Sequence, residues 1–192
     1  MRATLDRLIS WMGVLLAVVL LVAGALLLWA NQFIGNQVHD QLSDQQITMP
    51  TEEAIAADEA LSEEDRDALR PFAGEPMTTG PAARAYADNF ILAHMNASSG
   101  GETYSSLGGV VREACAEPES EACAEANALR ESAFKGSTLR GLLLYGYAFA
   151  TMGTIAGWAA IGAFIGAAVL LVLAFLGFRH SRAAEVETPA RA

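Results

Sequence analysis

Histidine and cysteine are scarce in this chain, with three and two copies among 192 residues. That scarcity leaves no zinc-ribbon or H-E-x-x-H pattern, and the two cysteines are too far apart for a C-x-x-C redox motif. No G-x-S-x-G elbow and no phosphate-cradling glycine loop occurs. Basic residues are few as well: 12 Lys and Arg stand against 22 Asp and Glu, a formal charge of −10. No basic patch exists to meet phosphates, which argues against nucleic acid as a partner. The last absence is of charge altogether in two long stretches, Leu8 to Ala30 and Gly141 to Phe178.

The first stretch has 23 residues, enough to cross a bilayer with some tilt. Trp11 and Trp29 lie 18 positions apart. At about 1.5 Å per residue that is ~27 Å, near the separation of the two aromatic belts. A cleaved signal peptide usually has a shorter apolar region, so an uncleaved anchor is expected. Arg2 and Arg7 precede this span, and Arg179 and Arg182 follow the second apolar stretch. By the positive-inside rule both termini are expected in the cytoplasm of a cell-membrane protein. No charged residue interrupts either span, which argues against a two-span ion or proton pump.

Between the spans, residues 31–140 carry 19 acidic and seven basic side chains, a net of −12. This part is expected outside the cytoplasm as a small, mostly helical domain. The spacing of Phe33, Ile34, Val38 and Leu42 continues the first helix outward to about Leu42. Thr51 reads as an N-cap with two glutamates behind it, and Ser62 with Asp65 repeats a capping pattern before Pro71. Six of the ten residues from Asp58 to Asp67 are acidic. Without alternating oxygen ligands and a central glycine they read as a solvated face, not a calcium loop. Gly80-Pro81 and Gly100-Gly101 bracket a helix with Tyr86, Phe90, Ala93 and Ala97 on one stripe and Ile91 and His94 beside it. A further helix leads to Cys115, and another runs from Cys123 to the second span.

In one continuous helix, Cys115 and Cys123 would be separated by about 12 Å of rise, too far to bond. Pro118 makes such a helix unfavourable, and a turn at Glu117-Pro118-Glu119 would bring the sulfurs together. A disulfide-closed loop is therefore expected, as suits an oxidising compartment.

Four segments resemble a family of small actinobacterial membrane proteins with two spans and no established function: "QLSDQQITMP", "FAGEPMTTGPAARAYADNFILAHM", "SGGETYSSL" and "RESAFKGSTLRGLLL". The resemblance covers most of the chain, although the insert with Cys115 and Cys123 is longer than the family pattern. Members are often labelled aromatic-ring-opening dioxygenases. That chemistry on non-haem iron asks for two histidines and a carboxylate. His39 and His94 are on the exterior side, where Glu102 could complete a triad with them, but no local spacing joins the three. No cofactor or metal is expected on the residues themselves.

The second apolar stretch is longer than a crossing needs. Trp158 to Phe178 already covers about 30 Å, which leaves about 25 Å of apolar helix from Gly141 to Gly157 beyond the hydrocarbon. Exposure of such a surface costs about 25 cal/mol per Å². It is expected to be covered by the chain's own exterior domain or by another protein. Gly153 with Gly157, and Gly162 with Gly166, form small-xxx-small faces that admit a close helix. The partner is either the first span, through Ala17, Gly24 and Ala25, or another subunit. The expected organisation is an all-α membrane protein: residues 1–30 as tail and first span, 31–140 as exterior domain, 141–178 as the long apolar helix, and 179–192 as a cytoplasmic tail. The expected role is a non-catalytic accessory subunit of a larger membrane complex, a respiratory assembly being one conceivable host. It would contact lipid and other membrane subunits through Tyr145, Tyr147, Phe149 and Gly153. A homo-oligomeric surface scaffold is the alternative, and a ring-opening enzyme the third.

Overall fold

The computed structural model describes residues 2–186. Every element in that range is helical: α1 (Arg2–Asp44), α2 (Glu52–Ala57), α3 (Glu63–Leu69), α4 (Gly80–Ala85), α5 (Leu92–Ser99), α6 (Leu107–Ala114) and α7 (Glu121–Val186). A 3₁₀ turn, Arg70–Phe72, follows α3, and a π-helical turn, Tyr86–Ile91, joins α4 to α5. α1 and α7 are each long and apolar enough to cross a membrane. The helical continuation of α1 past Leu42 and the unbroken run of α7 from just before Cys123 match the sequence pattern. The end of the chain beyond Val186, part of the expected 179–192 tail, lies outside the described residues.

The chain divides into two compact units. Unit 1 takes residues up to 34 and from 152 onward, and unit 2 takes residues 35–151. Unit 1 is an antiparallel pair of helices, since Gly13 faces Ala174, Gly24 faces Phe164 and Gly153 faces Ile34. The buried positions repeat every seven residues. They are Ser10, Ala17 and Gly24 on α1, and Gly153, Ala160, Ala167, Ala174 and Ser181 on α7. A strict seven-residue repeat keeps one seam facing the partner in a left-handed supercoil. Small residues on that seam let two backbones approach closely where lipid supplies no hydrophobic drive.

Unit 2 packs short helices around the ends of α1 and α7. Thr51 caps α2 by accepting from the Ala54 amide at 3.2 Å, and Ser62 with Asp65 closes a capping box on α3. Two extended segments cross between these helices. Met49 N donates to Glu75 O at 2.9 Å, and Met77 N donates to Ile47 O at 2.8 Å. This pairing holds the side chains of Met49 and Met77 in the core with Ile55, Leu61, Leu69 and Leu107. Gly100 ends α5 with φ of 64°, a left-handed cap that a β-carbon would strain. The helix face that is buried here is Ala83, Ala87 and Ile91, not the Tyr86–Phe90 stripe. The two aromatic rings stack on each other at 4.8 Å on its flank. The small side chains win the core position because α4 lies almost against the α7 backbone: a β-carbon at Gly80 would collide with Ala150 Cβ and meet Tyr147 Cα at 3.2 Å.

Candidate interaction surface

Cys115 and Cys123 form a disulfide with their Cα atoms 4.6 Å apart. It ties the end of α6 to the first turn of α7. Asn127 Nδ2 donates to Cys123 O at 2.9 Å, which fastens the same corner.

Within unit 1, the glycines singled out by sequence fall in two environments. Gly153 and Gly157 face Asn31 and Ile34, and a β-carbon on Gly157 would lie 3.0 Å from Asn31 Nδ2. Gly166 would bring one to 3.2 Å from Leu20 Cδ1. Gly162 has nothing within 4 Å and points away from the seam. On the first span, Ala17 and Gly24 are buried while Ala25 is exposed. Asn31 is the seam's polar link between the helices, donating from Nδ2 to the Gly153 carbonyl at 2.8 Å. Sequence reasoning missed Asn31 and the seven-residue repeat. Both signals are present in the sequence: Ser10, Ala17, Gly24 and Asn31 stand seven apart, as do Gly153, Ala160, Ala167, Ala174 and Ser181.

Within unit 2, α7 has a covered and an open face. Leu143 is 2% exposed, and Gly146 lies against Leu42, its β-carbon position 3.6 Å from Leu42 Cδ2. Tyr147 turns toward α4: Arg84 Nη1 donates to its hydroxyl at 2.9 Å, and the guanidinium sits 4.9 Å from the ring centroid. Two turns earlier on α7, Arg140 Nη2 reaches Asp88 Oδ1 at 2.8 Å, and Arg84 Nε lies 3.6 Å from the other carboxylate oxygen. The π-helical turn that carries Asp88 is the local irregularity behind this placement. The opposite face is bare. Leu142, Tyr145 and Phe149 are 63%, 67% and 52% exposed. Their spacing of three and four places them on one stripe of the helix.

The residues available for a metal do not fit one. Among the described residues no three His, Cys, Asp or Glu side chains come together. His39 is exposed, and both ring nitrogens of His94 are engaged. Nδ1 lies 2.7 Å from the Phe90 carbonyl, and Nε2 lies 3.1 Å from Asp58 Oδ2. A carbonyl only accepts, so Nδ1 carries a proton and is not a ligand lone pair. A shallow apolar groove of about 240 Å³ between α5 and α7 includes His94 with Phe90, Met95 and Leu129 in its lining. Burial pushes the pKa of the Tyr86 phenol up. No known protein family, no curated protein and no solved structure matches the chain.

Proposed function

We propose that the chain is a non-catalytic accessory subunit of a larger membrane assembly, with two spans, both termini in the cytoplasm and residues 31–140 outside it. The observation that carries this reading is the open stripe of Leu142, Tyr145 and Phe149 on α7. In the antiparallel pairing of unit 1, Asn31 meets Gly153 and Gly157, and Trp11 packs on Phe178 at 5.6 Å. Trp29 and Trp158 then mark one edge of the apolar slab, and Trp11 and Phe178 the other. Counted along α7, Phe149 stands nine residues beyond Trp158, or roughly 14 Å. The stripe is thus beyond the depth where lipid chains would cover it. Three large side chains this exposed present about 300 Å² of apolar surface, worth about 7 kcal/mol against water. A protein partner is the cover that this surface calls for.

The seam supports a foreign partner over self-assembly through glycine faces, because Gly153, Gly157 and Gly166 are already occupied within the chain. The ring-opening label draws no support from His94, whose nitrogens serve Phe90 and Asp58. The resemblance to the two-span actinobacterial family belongs to the same proposal and rests on the four quoted segments.

Extraction in a mild detergent followed by native mass spectrometry tests the reading. A complex containing this chain with at least one different membrane protein is expected. A chain found alone, or only with copies of itself, would overturn it. Topology is checked with a membrane-impermeant maleimide on intact cells. Gln41→Cys should label at once and Arg182→Cys only after lysis.

A further inference from the structure

His94 on α5 has an acceptor at each ring nitrogen. Nδ1 lies 2.7 Å from the Phe90 carbonyl, and Nε2 lies 3.1 Å from Asp58 Oδ2. A carbonyl and an ionised carboxylate both only accept. The two contacts are therefore hydrogen bonds together only when each ring nitrogen carries a proton. Asp58 is held ready for the second one. Its Oδ1 accepts from the Ala60 amide at 3.0 Å, and its carbonyl accepts from Arg66 Nη2 at 2.9 Å. The imidazole also lies 4.3 Å from the Phe90 ring, centroid to centroid, a neighbour that favours a cation. The other charged groups on the surrounding elements face other partners or solvent. On the π-helical turn, Asp88 holds Arg84 and Arg140. On α3, Arg66 pairs with Glu63, Asp67 with Arg70, and Asp65 closes the capping box. On α7, Lys135 pairs with Glu131 and Arg130 lies over the Tyr104 ring. Glu59 and Glu64 are exposed.

We infer that His94 and Asp58 form a proton-operated clasp between α5 and the link from α2 to α3. With the ring doubly protonated, Nε2 donates to Asp58 and the clasp is closed. Loss of that proton leaves a nitrogen lone pair facing a carboxylate oxygen, two acceptors with no hydrogen between them, and the clasp opens. The sign follows from the geometry. The contact stabilises the protonated ring, so its contribution is present at mildly acidic pH. It is lost as pH rises through the range in which imidazoles titrate, about pH 6.5. It is lost again below about pH 4, where carboxylates take up a proton. His94 also lines the groove of about 240 Å³ beside Phe90, Met95 and Leu129, so the clasp decides whether that wall of the groove is pinned. This device goes beyond the accessory role and does not depend on it.

A double-mutant cycle on the full chain in mixed micelles tests this. His94→Gln removes the titrating ring. Asp58→Asn removes the carboxylate and leaves an oxygen for the Ala60 amide. The coupling between the two positions should be about two- to fivefold in the unfolding equilibrium constant at about pH 5.5, the scale of a partly exposed ion pair. It should be absent at about pH 8. Coupling of equal size at both pH values, or none at the acidic one, overturns the inference. Where His94→Gln fails to fold, nitrogen-15 NMR of the histidine rings decides, with the other two signals removed by His39→Gln and His180→Gln. The Nε2 proton of His94 should exchange slowly with water at the acidic pH and at least about tenfold faster in the Asp58→Asn chain, as expected when a hydrogen bond is lost. Equal exchange with and without the carboxylate overturns the clasp and leaves the accessory role standing.

Discussion

Gly157→Leu and Gly162→Leu are the same substitution five residues apart on α7, and the structure gives them opposite consequences. At Gly157 the new β-carbon arrives 3.0 Å from Asn31 Nδ2 and 3.2 Å from Asn31 Cγ. Contacts that short require Asn31 to give way by a few tenths of an ångström, which weakens its 2.8 Å hydrogen bond to the Gly153 carbonyl. An interhelical bond of this kind within a membrane is worth about 0.6 kcal/mol on average and up to ~1.7. The remaining carbons of leucine then enter a seam built for small residues, and overpacking costs about 1–3 kcal/mol. The sum is a loss of roughly 2–4 kcal/mol in helix–helix stability. At Gly162 nothing stands within 4 Å. There the change should lie within about 0.5 kcal/mol, offset if anything by the better helix propensity of leucine. The assay is reversible unfolding of the reconstituted protein in mixed micelles, followed by far-UV circular dichroism and by the fluorescence of its three tryptophans, Trp11, Trp29 and Trp158. Equal stabilities for the two variants would refute the reasoning, because the two positions differ in their neighbours and in nothing else that a leucine senses.

Three further outcomes follow from unit 2. Reduction of the Cys115–Cys123 bond, or the paired Cys→Ser variant, should cost about 2–3 kcal/mol by loop closure. Thermal melts with and without reductant check it, and the effect should disappear when the cysteines are already replaced. Asp88→Ala leaves Arg140, one-third exposed, without its ion-pair partner, while Arg84 keeps Tyr147. It should cost about 1–2 kcal/mol, whereas exposed Glu63→Ala on α3 should cost less than ~0.5; chemical denaturation ranks the two. Tyr86 titrates above its ordinary value of 10.0 because burial favours the neutral phenol. Its contribution to stability is therefore complete below pH 10 and lost as pH rises through the folded-state value. Tyr86→Phe should flatten that alkaline decline in a Tm-versus-pH series.

Local signals were legible where a few residues decide the outcome. The caps at Thr51 and Ser62, the stops at Pro71 and Gly100, and the turn at Pro118 all depend on side chains within four positions, and each is where the sequence puts it. The disulfide could be read for the same reason, since eight residues and one proline set its geometry. The register between distant helices was harder. Tyr86 and Phe90 form the conspicuous stripe by size, but the face that α7 admits is Ala83, Ala87 and Ile91, because Gly80 brings the two backbones too close for rings. The π-helical turn from Tyr86 to Ile91 also shifts the register within this helix, and no propensity rule announces it. Tyr147 looked like an outward contact beside Tyr145 and Phe149, but two residues on a helix lie about 200° apart, and Arg84 draws it to the covered side.

The seam of unit 1 and the stripe of unit 2 each follow from which side chains α7 keeps small and which it keeps large. Along the span, its inward face is glycine, alanine and serine at seven-residue intervals, while large side chains such as Ile155, Ile165 and Leu173 face outward. That is the distribution lipid demands: bulk where hydrocarbon is the solvent, smallness where another backbone must come near. In unit 2 the inner half of the pattern persists, with Gly146 against Leu42, and so does the outer half, with Leu142, Tyr145 and Phe149 exposed. After Trp29, α1 exposes the polar residues Gln32, Asn36 and Gln37 and reaches its first charge at Asp40. α7 exposes Thr154 and Thr151 before Trp158 but carries no charge between there and Arg140, 18 residues away. On the proposed topology, this longer uncharged run on α7 is the physical reason to assign the uncovered surface to a partner and not to solvent.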